Sequence, residues 1–207
     1  MSGSRSVADI YSEGQRYFMG EGRLNNALTR LVADLKEHKI DYLVIGALAL
    51  LAHGYARFTE DIDVIIRPED LERFHRELIG LGYLPAFEGA RKKLRATHDG
   101  TPVELIASGE YPGDGKPKPV SFPNPSESFI EIDGVKFPTF EKLIELKLAS
   151  GMTAPDRLKD LADVQELIKI HGLSSNFTEK LNPYVRGEYL KLLEAIRLGR
   201  MNNFEEQ

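Results

Sequence analysis

The order of secondary-structure signals along the chain constrains its fold more than any other feature of the sequence. Short runs rich in Val, Ile and Leu, bounded by glycine, proline or Asp-Gly pairs, occupy the chain up to about residue 138 and predict β-strands. From Phe140 onward the apolar residues recur at helical spacing only. We therefore expect an α+β protein: a small mixed or antiparallel sheet with flanking helices, followed by a helical C-terminal part.

Periodicity and turn residues place the individual elements. The predicted helices cover residues 24–35, 47–53, 68–79, 141–150, 158–171 and 189–198. The predicted strands cover residues 42–45, 62–66, 94–97, 103–107, 129–132 and 135–137. Asp99-Gly100 and Asp133-Gly134 predict hairpin turns between neighbouring strands. The chain then divides into a loosely attached N-terminal arm (1–22), an α/β domain (23–138) and a helical C-terminal subdomain (139–207).

One long connection carries no secondary-structure pattern. Residues 108–128 hold five of the eleven prolines and three glycines. A patternless connection of this length in a compact domain is usually functional or mobile. We therefore expect a special role for this loop.

The composition excludes several classes of site. The chain contains no cysteine, which excludes disulfides, thiol nucleophiles, thiolate zinc sites and iron–sulfur clusters together. No apolar run approaches the ~18 residues that a membrane-spanning helix needs. The first residues also lack the layout of a signal peptide. We expect a cytoplasmic protein with no membrane partner.

The charge balance argues mildly against a large nucleic-acid interface. The chain has 27 basic and 32 acidic residues and a formal net charge of −5, whereas nucleic-acid binders usually carry a basic field. Its only basic cluster is formed by Arg91, Lys92, Lys93 and Arg95. The default interpretation of this cluster is a solvated face, and the alternative is a local phosphate-binding patch.

Two aspartates at the start of a predicted strand are the first candidate functional residues. Residues two apart on a strand share a face, so Asp61 and Asp63 point to the same side. Two carboxylates about 7 Å apart on a strand repel each other unless a cation lies between them. Mg²⁺, a hard ion that prefers carboxylate oxygens, is suited to that place. The alternative interpretation is a strand end that frays into solvent.

A third carboxylate occurs in the middle of another predicted strand. Glu104 lies between Val103 and Leu105, so it faces away from the core that these two residues enter. If this strand lies beside the one with the two aspartates, the three acids share an open face and can hold two metal ions. The alternative is an outward residue on a half-exposed strand.

A glycine marks the junction between the first predicted strand and the following helix. At Gly46 the missing side chain and the free N–H groups of the helix start allow a phosphate to approach. Such a junction is also common in ordinary turns. Arg57 and Thr59 lie between this junction and the aspartates, and are candidate polar groups of the same site.

These motifs together resemble the signature of the DNA polymerase β-like nucleotidyltransferase superfamily. Ile45-Gly46-Ala47 is followed after thirteen residues by Asp61-Ile62-Asp63. The run from Arg57 to Asp63 is similar to the Arg-x-Thr-x-Asp-hydrophobic-Asp run of small bacterial members, including minimal nucleotidyltransferases and abortive-infection (AbiEii-like) toxin enzymes. Glu104 occupies the place of the family's third metal-binding carboxylate. Ala47 departs from the family, which usually has Ser or Gly there.

The C-terminal helices contribute further candidates. Lys147 lies in the middle of an apolar helix face, so its ammonium either reaches past the core edge or points at a buried anion. In the toxin-like relatives such a lysine contacts the nucleotide triphosphate, and a later Arg-x-x-Asp cluster completes the site. Arg157 and Asp160 resemble that cluster, with Asp163 one turn further along. Lys159 points away from the apolar face of its helix.

The resemblance implies transfer of a nucleoside monophosphate from an NTP to a hydroxyl of a tRNA end, a small molecule or a protein. It implies two Mg²⁺ ions, or Mn²⁺, on Asp61, Asp63 and Glu104. It places the nucleotide against Gly46, Ala47, Arg57, Thr59, Lys147, Arg157 and Asp160. An inactive partner protein of the same fold, such as a toxin–antitoxin component, is the alternative. A phosphatase or glycosyltransferase with an Asp-x-Asp motif ranks last, because in those enzymes the apolar strand precedes the acids.

Overall fold

The computed structural model of the protein describes residues 22–205. The predicted N-terminal arm, apart from Gly22, lies outside the described residues. The helices are α1 Arg23–Glu37, α2 Gly46–Ala52, α3 Pro68–Leu78, α4 Phe140–Thr153, α5 Leu158–His171 and α6 Pro183–Glu205. The strands are β1 Tyr42–Val44, β2 Ile62–Ile66, β3 Tyr83–Pro85, β4 Lys93–Ala96, β5 Pro102–Ala107, β6 Phe129–Ile132 and β7 Val135–Pro138. Short 3₁₀ helices cover Pro155–Arg157 and Ser175–Lys180.

The main sheet has five strands in the order β1-β2-β5-β4-β3. Strands β2 and β5 are parallel, and the other neighbouring pairs are antiparallel. The mixed sheet of an α+β protein is thus confirmed. The hairpins at Asp99-Gly100 and Asp133-Gly134 are also confirmed, although the second forms a separate two-stranded sheet, β6-β7.

One strand and the start of one helix differ most from the prediction. Strand β3 was not expected, because three residues are too few to show a period of two. Helix α6 begins at Pro183, six residues before the predicted start at Tyr189. A proline suits the first turn of a helix, but Gly187, a poor helix former, obscured the pattern in the sequence. Val185 and Tyr189 are fully buried, so this first part of α6 contributes to the core.

Most of the core is one cluster between the sheet and the helices. It contains residues of both the predicted α/β domain and the predicted helical subdomain, such as Val64, Leu105, Leu148 and Val164. The division at residue 138 stays a prediction. A smaller cluster lies on the opposite face of the sheet, against which the loop 108–128 packs. No helix among the described residues is long and apolar enough to cross a membrane.

Candidate active site

The floor of the candidate site is formed by two neighbouring parallel strands. Asp63 on β2 lies directly opposite Glu104 on β5. Alternation along β2 places Ile62 and Val64 in the main core, fully buried, and Asp63 on the other face. Along β5 the same alternation places Val103 in the core and Glu104 on the other face. The predicted meeting of three acids on one face is therefore confirmed for Asp63 and Glu104, whereas Asp61 lies just before the strand.

Gly46 lies against the carboxylate of Asp63. Its φ of 68° is in the left-handed region, and a Cβ at this position would lie 2.3 Å from Asp63 Oδ2. The backbone N–H of Ile45 donates a 2.9 Å hydrogen bond to the carbonyl of Asp63, which fixes the junction to β2. Only glycine fits between the junction and the carboxylate, so the predicted proximity of these two motifs is confirmed.

Asp61 precedes β2 and is exposed to solvent. Its carboxylate accepts a hydrogen bond from the Thr59 hydroxyl. Asp61 still acts on Asp63 electrostatically, as does Glu104. We name Asp61, Asp63 and Glu104 the carboxylate floor.

The carboxylate floor has an excess of negative charge. Burial, followed by the charges of Asp61 and Glu104, raises the pKa of Asp63 to about 6. Lys147 and Lys159 oppose this rise in pKa but do not cancel it. Among the described residues no three His, Asp or Glu side chains form a ready-made metal site. Nevertheless, a buried carboxylate with acidic neighbours and a raised pKa is a place that a divalent cation would stabilise.

A buried lysine, Lys147, lies on α4, a helix whose first turn is capped by the side chain of Thr139. The ammonium of Lys147 donates to Asp160 Oδ1 at 2.9 Å and to Asp163 Oδ2 at 2.7 Å. Ser150 Oγ donates to the second oxygen of Asp160 at 2.7 Å. The pKa of Asp160 is lowered even though burial alone would raise it, because Lys147 and Ser150 stabilise the carboxylate.

Arg57 joins the same group of charges from the segment that precedes β2. Its Nε lies 3.2 Å from Asp163 Oδ1, so Asp163 connects Arg57 to Lys147. We name Arg57, Lys147, Ser150, Asp160 and Asp163 the lysine cluster.

A cavity of about 140 Å³ lies between the carboxylate floor and the lysine cluster. The predicted site residues that line it are Gly46, Arg57, Asp63, Glu104, Lys147, Arg157 and Asp160. Of the other predicted residues, Ala47 is buried, and neither Thr59 nor Asp61 lines the cavity. The structure thus brings together residues from five separate stretches of the sequence.

The loop 108–128 forms a wall of this cavity. Pro112, Gly113 and Phe122 line it. At Gly113, with a φ of 76°, a Cβ would lie 2.7 Å from the carbonyl oxygen of Ser150 on α4. Lys118 anchors the same segment by donating to the carbonyl of Pro112 at 2.6 Å. The sequence marked this loop as special but did not indicate what it would contact.

Lys159 was not predicted as a site residue, because it points away from the apolar face of α5. In the structure Lys159 lines the cavity, beside Arg157 and Asp160. The helical wheel describes only the packing within the helical part, whereas the position of Lys159 depends on where α5 meets the sheet. No local signal in the sequence distinguishes it from a solvated lysine.

The basic cluster has partners of its own. Arg91 pairs with Glu72, and Lys92 pairs with Glu110. None of its residues lines the cavity. The arrangement agrees with the interpretation of a solvated face.

Comparison with known proteins gives structural matches only. No protein-family model and no curated protein sequence matches the chain. A crystal structure of ANT(2'')-Ia in complex with adenylyl-2''-tobramycin is similar over 80% of this chain and 96% of that one, with 15% identity and a TM-score of 0.52. The solution structure of this antibiotic-resistance factor matches over 86% and 93%, with 15% identity and a TM-score of 0.49.

A nucleotidyltransferase-like protein from Paracoccidioides brasiliensis matches over 71% of this chain and 76% of its own, with 18% identity and a TM-score of 0.45. At these identities the matches bear on the fold, and the ANT(2'')-Ia crystal structure carries that conclusion. The chain has the nucleotidyltransferase fold, as its resemblance to the DNA polymerase β-like superfamily predicts.

Proposed function

We propose that the protein transfers a nucleoside monophosphate from an NTP to a hydroxyl acceptor. The observation that carries this proposal is the uncompensated carboxylate floor at a cavity whose opposite wall is cationic. A site of this kind suits a ligand that combines divalent cations with a polyphosphate. In the reaction the acceptor oxygen forms a bond to the α-phosphorus. The bond between the α-phosphorus and the oxygen that bridges the α- and β-phosphates breaks, and pyrophosphate leaves.

The donor set of the carboxylate floor fits Mg²⁺ or Mn²⁺. All three residues offer hard oxygen ligands, and Lys147 and Lys159 only partly offset the negative charge around ionised Asp63. We assign Asp61 and Asp63 to two ions and Glu104 to one of them. When bound, the ions neutralise developing charge and lower the pKa of the acceptor hydroxyl.

The remaining predicted residues have proposed roles in binding and positioning. Gly46 allows the strand–helix junction to lie directly against Asp63, so that phosphates bound at the metal ions would meet backbone there. Ala47 is buried and offers only its backbone N–H. Thr59 orients Asp61 through its hydrogen bond. Arg57 and Lys147 present donors to the cavity, and Asp160 holds Lys147 in place. Arg157 borders the same cavity and is a candidate phosphate ligand.

The test uses labelled nucleotides. The protein is incubated with Mg²⁺, each α-labelled NTP and total cell extract, and the labelled fraction identifies the acceptor as RNA, small molecule or protein. ATP is tested first, because the similar ANT(2'')-Ia structure contains an adenylylated compound. We expect Asp63→Asn to lower the transfer rate by about 10²–10³-fold or more, since fixed charge stabilisation carries most of this chemistry. Glu131→Gln, an exposed change on β6, is the matched control.

One observation favours a second candidate, an inactive partner protein of the same fold. Ala47 offers no hydroxyl where the resembling family usually has Ser or Gly. Binding of Mg²⁺–NTP without transfer by the wild-type protein would support this candidate. Transfer at the wild-type rate by Asp63→Asn would refute the proposed enzyme.

A further inference from the structure

Four cationic side chains line the cavity: Arg57, Lys147, Arg157 and Lys159. They are not equivalent, because the two that belong to the lysine cluster already interact with buried carboxylates. The question is which of the four can neutralise a bound polyphosphate.

Lys147 and Arg57 are balanced within the protein. Two of the three ammonium donors of Lys147 bind Asp160 and Asp163, and Arg57 pairs with the other oxygen of Asp163. Two cations therefore stand against two buried carboxylates, and the formal charge of the lysine cluster is zero. Lys147 retains one N–H donor for a ligand, but the lysine cluster as a whole adds little net positive potential to the cavity.

Lys159 and Arg157 have no such partners. Neither forms a salt bridge or a side-chain hydrogen bond with another described residue, and both are exposed at the edge of the cavity. Arg157 acts on the Asp160 carboxylate only through space. Lys159 lines the same cavity as Asp63 and Glu104, so its ammonium group lies at the site where metal ions and phosphates would bind.

The place of these two residues in the fold is unfavourable for helix stability. Arg157 is the N-cap residue of α5, and Lys159 lies in the first turn. The N-terminal end of a helix is positive, so cations there are disfavoured and anions are favoured. Asp160 in the same turn is the expected kind of residue, but Lys147 and Ser150 already use its oxygens. Arg157, Lys159 and the N-terminal end of α5 thus all add positive potential at the cavity.

We propose that Lys159, together with Arg157, binds the polyphosphate of the nucleotide in this cavity, whereas Lys147 mainly holds α4 and α5 together. This inference rests on the proposed function and deepens it. It assigns the positive charge at the nucleotide site to a residue that sequence reasoning did not select. Arginine at position 159 would keep the charge, and glutamine would remove it while keeping most of the side chain's length.

The test is calorimetric titration of the protein with Mg²⁺–ATP, –GTP, –CTP and –UTP, and with the matching nucleoside monophosphates. We expect Lys159→Gln to weaken binding of the preferred NTP about tenfold, the effect of losing one hydrogen bond to a charged group. Binding of the monophosphate changes less, and Lys159→Arg retains most of the affinity. Lys169→Gln is the matched control, because Lys169 lies on the same helix, pairs with Glu166 and does not line the cavity.

The outcomes separate this inference from the proposed function. If the wild-type protein binds an NTP and Lys159→Gln binds it with unchanged affinity, this inference is wrong while the proposed function survives. If the wild-type protein binds no Mg²⁺–NTP, both the proposed function and this inference are wrong. A loss that is equal for the monophosphate, or one accompanied by a lower Tm than that of Lys169→Gln, would show a structural role for Lys159 and also overturn the inference.

Discussion

The carboxylate floor and the lysine cluster face each other across one cavity, but they differ in what surrounds their carboxylates. In the lysine cluster each buried carboxylate has a cationic partner from the same chain, and the pKa of Asp160 is lowered. In the carboxylate floor the acids have mainly one another as neighbours, and the pKa of Asp63 is raised to about 6. The first arrangement stabilises the fold by itself, whereas the second gains stability from a ligand of opposite charge.

This difference separates residues that fold the protein from residues that act on a substrate. Asp160 and Asp163 connect the helical part to Arg57, which belongs to the segment leading into β2. Asp63 and Glu104, by contrast, form no salt bridge with another residue of the described part of the chain, and both line the cavity. Changes in the two groups should therefore have opposite effects on stability.

The largest expected effect is that of Lys147→Met. The substitution preserves the apolar stem but leaves Asp160 without its cation and Asp163 with Arg57 alone. Removal of one partner of a buried ion pair costs about 3–5 kcal/mol. We expect a large decrease in the free energy of unfolding, measured by urea denaturation followed by far-UV circular dichroism. A loss of less than about 1 kcal/mol would show that the lysine cluster is not a structural crosslink.

A second comparison concerns two glycines with positive φ. Gly46 lies against Asp63, whereas a Cβ at Gly80, with a φ of 86°, would meet nothing within 4 Å. Alanine at either position incurs the backbone penalty of about 1–2 kcal/mol. We expect Gly46→Ala to cost roughly 1–3 kcal/mol more than Gly80→Ala, because its Cβ displaces the carboxylate in a packed site. Equal losses of unfolding free energy in the two variants would contradict the close approach of Gly46 and Asp63.

Much of this arrangement could be predicted from the sequence. The face on which Asp63 and Glu104 lie follows from alternation, because an acid between two core residues faces the other side of the sheet. That their two strands are neighbours was a condition of the prediction and is known from the structure. The glycine junction and the two Asp-Gly hairpins follow from local backbone preferences. These features need information from only a few neighbouring residues.

The parts that escaped prediction depend on contacts between distant segments. The wall built by Gly113 and the position of Lys159 at the cavity are set by the way α4 and α5 pack against the sheet. The lysine cluster was only partly foreseen: Lys147 and Asp160 were chosen with the help of the resemblance, and Arg57 because it precedes the aspartates. The link from Asp163 to Arg57 needs a three-dimensional structure, since the two residues are more than one hundred positions apart.

For the carboxylate floor we predict a gain in stability: Asp63→Asn should increase the free energy of unfolding in metal-free buffer. The pKa of Asp63 is about 6 in the folded protein and 3.8 in the reference state, so the folded state binds more protons between these values. Ionisation of this group therefore lowers the stability of the wild-type protein as pH rises from about 4 to 6. We expect Asp63→Asn to be more stable than the wild type at pH 7, by about 1–3 kcal/mol.

The measurement is thermal unfolding in the presence of a chelator at several pH values. The advantage of Asp63→Asn should shrink as pH falls and disappear below about pH 4, where both proteins carry a neutral group. Added Mg²⁺ should stabilise the wild type more than the variant, because the variant lacks one of the proposed ligands. A variant that is less stable than the wild type at every pH would contradict the view of Asp63 as a destabilising charge.

The smallest expected effect concerns an exposed ion pair on α5 that has the same N–O distance as the buried pair of Lys147 and Asp163. Lys169 and Glu166 on α5 are 2.7 Å apart, as are Lys147 and Asp163, but the first pair is 43% and 40% exposed and the second 8% and 3%. Water and salt screen the exposed pair, so Lys169→Met should change the free energy of unfolding by less than about 0.5 kcal/mol. Urea denaturation of this variant beside Lys147→Met compares two lysine–carboxylate pairs with the same N–O distance. If the two variants differ by several kcal/mol in the free energy of unfolding, the difference measures the combined effect of burial and of the second carboxylate that binds Lys147. Similar losses in the two variants would show that Lys147 stabilises the protein no more than a surface lysine does.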